Sequence, residues 1–200
     1  MEKNYNVINY KDVHKLEFLD FCKKASLDTS MPAHKNMWKE GWQQDPSTLP
    51  YLLEIEKRFS NNNGEFVVLT HGTEIVACSG AYKSDFSDMV AIVGVRSWVN
   101  SEYRSKFLLG KYLYPAHVEW AKNNNFKQVA ITFNEYNEKL KNLFLRNGLG
   151  VIKDRKSTSL FFNGVNEVEF PVKIKNTRQF ILYEKLDPNW EFDYQKIKYY

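Results

Sequence analysis

The stretch VNSEYRSKFLLGKYL, residues 99–113, joins two segments of different character. Ahead of it, MVAIVGVRSWV (residues 89–99) is a nearly unbroken apolar run with the content of a central β-strand. Behind it, residues 109–124 carry Leu113, Ala116, Val118 and Trp120–Ala121 at helical spacing and run into consecutive asparagines. A strand therefore ends and a helix begins across a turn holding Arg104, Lys106 and Lys111. The unbonded N–H groups of a helix's first turn, with the positive end of its dipole, can hold a phosphate there. Glycine assists by permitting positive φ and close backbone approach. Here only Gly110 is glycine, while Phe107 and Leu109 are bulky. The turn is either a phosphate cradle whose large side chains point into the core, or an ordinary connection with solvated cations. A positive φ at residue 107 would strain a phenylalanine.

The flanking elements extend this picture. YNVINY (5–10) alternates like a short strand. KDVHKLEFLDFCKKA (11–25) reads as a helix with Val13, Leu16, Leu19 and Phe21 at near-helical spacing and Asp12 as its N-cap. Further helical segments are expected at HKNMWKEGWQQ (34–44) and LPYLLEIEKRFSNN (49–62), the latter starting near Thr48. GEFVVLT (64–70) and IVACSGAYK (75–83) flank the turn HGTE and form a β-hairpin. KQVAITFN (127–134) is a strand, and EYNEKLKNLFLRNG (135–148) a helix with Leu140, Leu143 and Phe144 on one face and Gly148 as its stop. VNEVEFPVKIK (165–175) and TRQFILYEKL (177–186) close the chain as two strands before the tail DPNWEFDYQKIKYY (187–200). Strands 89–99 and 127–134 are joined through a helix, so they should be parallel with a right-handed crossover. The expected fold is α/β, a mixed sheet of about six to seven strands, mostly antiparallel with one parallel pair, and helices on both faces. Residues 1–186 are expected to form one domain and 187–200 a tail. A ligand cleft is expected at the carboxyl ends of the strands, where the sheet changes character.

Composition narrows the function classes. A net charge of +4 is too mild to argue for nucleic acid, and no nucleic-acid motif accompanies it. Cys22 and Cys78 lie far apart without CxxC or Cys/His spacing, so no metal site is expected. Both read as reduced and packed, which points to a cytoplasmic location. No apolar run reaches membrane-spanning length, and the N-terminus has no apolar signal core.

Two segments, in this order and spacing, resemble the GNAT superfamily of acyl-CoA-dependent N-acyltransferases. The family's cofactor loop, approximately V-x-P-x-Y-R-G-x-G-I-G after its fourth strand, is similar to residues 99–109. Its later helix, N-x-x-A-x-x-L-Y-x-x-x-G-F, is similar to residues 137–149. The resemblance covers roughly residues 65–186. It implies a GNAT-like fold, acetyl-CoA or another acyl-CoA as co-substrate, and amide formation on an amine. Arg104 is kept, but the glycine positions hold Phe107 and Leu109, and Ser105 replaces a frequent glycine. Phe144 stands where the family's tyrosine protonates the departing thiolate.

The resemblance implies that Arg104, Ser105, Lys106, Phe107, Leu108, Leu109 and Gly110 bind the co-substrate's diphosphate, with Asn137 and Phe144 also on the cofactor side. It places the thioester carbonyl near backbone N–H groups of Val93, Gly94 and Val95, where Gly94 would let the strand bulge. Glu135 is the candidate general base, against a plain reading as a helix-start carboxylate. Tyr136 is the candidate acid, with Tyr112 also considered, against packing roles for both. His71 reads first as a solvated hairpin residue and His117 as structural or exposed. Trp38, Glu40 and Trp42, near His34, could hold an amine through cation–π and charge contacts, or simply pack a helix onto the sheet. The acceptor is expected to be a small-molecule or peptide amine. Pairing of sheet edges, frequent in the family, leaves a homodimer open. The alternative is a catalytically lapsed GNAT-like fold acting as a binding or assembly module.

Overall fold

The computed structural model describes residues 4–27, 56–57, 59, 64–134, 139–144, 166–169 and 179–193. Strands β1 (Tyr5–Asn9), β2 (Gly64–His71), β3 (Glu74–Lys83), β4 (Val90–Val99), β5 (Gln128–Asn134), β6 (Asn166–Glu169) and β7 (Gln179–Lys185) are joined by helices α1 (Lys15–Leu27) and α2 (Tyr114–Asn123) and by shorter turns. A 3-10 helix at Ser101–Lys106 and a π-helical turn at Leu109–Leu113 lead into α2. The chain divides into two compact units. One comprises Met1–Tyr82 with Val95–Ala116, the other Lys83–Gly94 with His117–Tyr200. Strand β4 runs through both.

In the first unit the strand order is β1-β2-β3-β4. β1 pairs antiparallel with β2, from Tyr5 opposite His71 to Asn9 opposite Val67. β2 pairs antiparallel with β3, with a register shift between Leu69 and Thr70. Alternation along β2 sends Phe66 and Val68 to one face and Val67 and Leu69 to the other. Phe66 and Val68 meet Phe18, Phe21, Cys22 and Ala25 of α1, together with Cys78 and Trp98. Those α1 residues recur at i, i+3, i+4 and i+7, one helical stripe. Val67 and Leu69 meet Val76, Ala77, Tyr103, Leu108 and Leu113. Helical segments thus cover both faces, which explains the four consecutive apolar residues Phe66–Leu69. Phe18 is fully buried, and Phe18→Ala would cost about 3–5 kcal/mol through lost transfer energy and the cavity left behind.

One expectation shifts in detail, and the cysteines are as expected. Asp12 does not cap α1, which begins only at Lys15. Asp12 instead ends the 3-10 turn Tyr10–Asp12, capped by Asn9, whose Oδ1 accepts from the Lys11 N–H at 3.0 Å. Cys22 and Cys78 are unbridged and fully buried. Burial, and then the neighbouring Cys78, push the Cys22 thiol far up, so it remains protonated and inert.

In the second unit the order is β4-β5-β7-β6. β4 and β5 are parallel, as the helical crossover requires, with Val90 opposite Gln128, Ala91 opposite Val129 and Ile92 opposite Ala130. β7 pairs antiparallel with β5 and with β6. Val90, Ala91, Val129, Ala130, Ile181 and Leu182 are buried. After β7, Lys127 pairs with Asp187 at 3.2 Å and the Phe192 ring lies 5.2 Å from Phe86. The mixed sheet with its one parallel pair is the expected fold class. No helix among the described residues is long and apolar enough to cross a membrane.

Candidate functional site

The site is read along the backbone from β4 into α2. The β4–β5 pairing runs from Val90 to Ile92, and the strand then bends. Gly94 has φ +76 and Arg96 φ +54. Glycine takes this conformation without penalty, whereas Arg96 costs about 1–2 kcal/mol. The bend is tied to β3 by Cys78 Sγ, which donates to the Arg96 carbonyl at 3.7 Å, and by the Ser79 and Ser97 hydroxyls at 2.8 Å. A bend of this kind re-aims backbone groups away from the ladder. Val93 is buried and Val95 half-buried. Gly94 signals the bend in the sequence; nothing signals Arg96.

The turn after β4 starts with a cap. Asn100 accepts from the Glu102 N–H at 3.4 Å through its side chain, and its own N–H donates to the Val76 carbonyl at 2.9 Å. The 3-10 helix ends at Phe107, which is left-handed at φ 51, ψ 43. The strained phenylalanine is thus real. Its ring lies over Gly110, where an added Cβ would stand 2.1 Å from the ring. Leu108 is buried and Leu109 packs against the same cluster, so both side chains leave the outer side of the turn to backbone. The Lys111 N–H donates to the Phe107 carbonyl at 3.1 Å. The N–H groups of Leu108, Leu109 and Gly110 precede that first bond, in the orphan-donor positions of a helix start.

The cations have local anchors. Arg104 Nε donates to the Val99 carbonyl at 3.2 Å and holds the end of β4. Lys106 Nζ lies 4.2 Å from the centre of the Tyr103 ring, within cation–π range. Ser105 and Lys111 are exposed. These groups suit a diphosphate. Amide donors, a helix dipole and ammonium charge meet at one turn, and no carboxylate occupies residues 103–113.

Beneath the turn, the Tyr103 hydroxyl lies 3.1 Å from His71 Nδ1 and donates to Glu74 Oε2 at 3.2 Å. Burial, then the Glu74 charge, raise this phenol above its ordinary value. The solvated hairpin histidine expected from sequence is instead bonded to Tyr103 and stacked on Tyr5 at 4.9 Å. Tyr112 packs 5.0 Å from the Tyr5 ring. His117 is buried, 1% exposed.

Phe144 is buried, in a helical segment over residues 139–144. Glu135, Tyr136, Asn137, His34, Trp38, Glu40 and Trp42 lie outside the described residues.

Solved structures share this fold at low identity. An acetyltransferase of the GNAT family from Staphylococcus aureus Mu50 is 18% identical, with TM-score 0.59 over 92% of this chain and 100% of the other. An acetyltransferase from Streptococcus agalactiae 2603 is 11% identical, with TM-score 0.60 over 90% and 98%. Spermidine N-acetyltransferase from Vibrio cholerae, solved with CoA and spermine, is 9% identical, with TM-score 0.59 over 90% and 95%. No curated protein matches the chain. The family model for the acetyltransferase (GNAT) family matches residues 27–149, more than half the length, and the chain belongs to that family.

Proposed function

We propose that this protein is an N-acyltransferase that moves an acyl group, in the first instance acetyl, from acyl-CoA to a primary amine by direct attack. One observation carries the reading. The family's diphosphate position holds a left-handed residue, inward-turned side chains and the orphan amides of a helix start, directly after a bent strand. Arg104, Ser105, Lys106, Phe107, Leu108, Leu109 and Gly110 are assigned to the diphosphate, the backbone of Val93, Gly94 and Val95 to the thioester carbonyl, and Asn137 and Phe144 to the rest of the co-substrate. Acyl-CoA supplies an activated thioester. Glu135 is assigned the amine proton, directly or through water. Tyr136 is assigned the proton for the thiolate, because Phe144 has none to give. Trp38, Glu40 and Trp42 are assigned to the acceptor, a small-molecule or peptide amine. Spermine in the Vibrio neighbour makes polyamines a sensible first panel.

The test is a thermal shift with excess acetyl-CoA, with Arg104→Glu as the control. At about 100 times Kd, binding adds roughly 2.7 kcal/mol, which for a domain of this size raises Tm by about 5–11 °C. Arg104 also ties the end of β4, so the control is judged against its own ligand-free Tm. A shift in the wild type that vanishes in the control is expected, followed by CoA thiol release with an amine panel. A folded wild type that does not shift would overturn the reading.

A second reading has its own observation. Phenylalanine stands at one of the loop's glycine positions and at the tyrosine position, and the Phe107 ring covers Gly110. Such a fold could bind CoA as a non-catalytic module. Binding without thiol release for any amine would favour it.

A further inference from the structure

The network under the turn has a direction. Glu74 is an acceptor only, so the single Tyr103 hydroxyl proton goes to Glu74 Oε2, at 3.2 Å. The His71 contact at 3.1 Å must then be an Nδ1–H donating to the Tyr103 oxygen. The other oxygen of Glu74 accepts from Asn100 Nδ2 at 3.2 Å. One carboxylate at the start of β3 therefore grips the 3-10 helix twice, at its cap and at its third residue. The Tyr103 N–H in turn donates to the Asn100 carbonyl at 2.9 Å, closing the loop. His71 is held in place from behind by the Tyr5 ring at 4.9 Å, and Tyr5 also touches Tyr112 in the π-helical turn at 5.0 Å. Lys106 Nζ lies over the ring of the same Tyr103.

We propose that Glu74, Tyr103 and His71 are positioning residues for the diphosphate-binding turn. The β2–β3 hairpin holds the 3-10 helix, so the amides of Leu108, Leu109 and Gly110 are set before the ligand arrives. Without the grip, those amides must be ordered at the expense of binding. The two carboxylate bonds fix Asn100 and Tyr103, and the helix between them leaves no slack. This inference rests on the CoA reading of the turn and adds which residues outside it set its affinity.

The test separates positioning from general damage. Tyr103→Phe keeps the ring and the Lys106 contact but removes both hydroxyl bonds. Glu74→Ala removes both grips from an exposed residue, so it serves if Tyr103→Phe folds poorly. Each variant and the wild type are titrated with CoA and with S-acetylpantetheine, which lacks the diphosphate. The expected result is a CoA Kd raised about tenfold, from bonds worth on the order of a factor of ten, with the pantetheine Kd unchanged. The loss in the double variant should fall short of the sum of the two single losses, because both remove the Tyr103–Glu74 bond. Unchanged CoA binding in both variants would overturn the inference while leaving the function standing. Equal loss for both ligands would also overturn it, as general destabilisation. Failure of the wild type itself to bind CoA would overturn the function and this inference together.

Discussion

At Gly72, in the β2–β3 hairpin, φ is +63 and an added Cβ would meet nothing within 4 Å. At Phe107 φ is +51, yet the residue is a phenylalanine, and its ring rests on a glycine three positions on. Both turns need a left-handed residue. The hairpin meets the need by omitting the side chain. The second turn keeps a large side chain, offsets the backbone strain with ring contact, and moves the glycine to where the ring lands. Loss of a glycine at its usual place is therefore not by itself loss of the loop. The spatial requirement has been transferred to Gly110.

The sharpest way to break this comparison is Gly110→Ala. The new Cβ would overlap three ring atoms at 2.1–2.8 Å, and overpacking of this kind should cost roughly 2–3 kcal/mol in chemical denaturation. Adding Phe107→Ala to it should relieve the clash, so the double variant should be no worse than Phe107→Ala alone. Next comes Phe107→Ala itself, which keeps the left-handed strain and loses a half-buried ring, for about 2 kcal/mol. Phe107→Gly loses the same ring but not the strain, and should be about 1 kcal/mol less damaging than Phe107→Ala. If the two are equal, the left-handed backbone is not costing what its φ implies. Smallest is Gly72→Ala. Space is open there, so only the conformational cost of about 1 kcal/mol should appear. A larger loss would mean the hairpin is not the unencumbered turn described.

Much of the fold was legible because it is written locally. Strand alternation and apolar runs located β2, β3, β4 and β5 to within a residue or two, and the helix between β4 and β5 required their parallel pairing. Asp12 was misplaced as a cap because cap chemistry is shared by any turn of the right residues, and Asn9 with Lys11 closed a tighter one first. Within the turn, the sequence shows which side chains are bulky but not that Phe107 and Gly110 form a pair. The bonds of Tyr103 to His71 and Glu74 join residues about thirty positions apart, and no local pattern encodes them. His71 looked like a solvated hairpin residue for that reason. Arg96 is the hardest case, since its positive φ runs against its own preferences and its carbonyl accepts from Cys78 on the neighbouring strand.

The π-helical turn carries an arithmetic of its own. Leu108 and Leu113 both enter the core cluster beneath β2, yet they are five residues apart, a spacing that an α-helix of 3.6 residues per turn scatters to different sides. The i→i+5 turn at Leu109–Leu113 brings them back over one another. The chain thus accommodates one surplus residue between the turn after β4 and α2. Deleting the exposed Lys111 would leave Leu108 and Leu113 four residues apart, a spacing that an ordinary α-helix already holds on one face. The turn thus absorbs its extra residue without moving Leu108 out of the core or re-aiming the amides beside it. In insertion and deletion scans the segment should therefore tolerate shortening by one at Lys111, whereas lengthening by one should throw Leu108 out of register with the core.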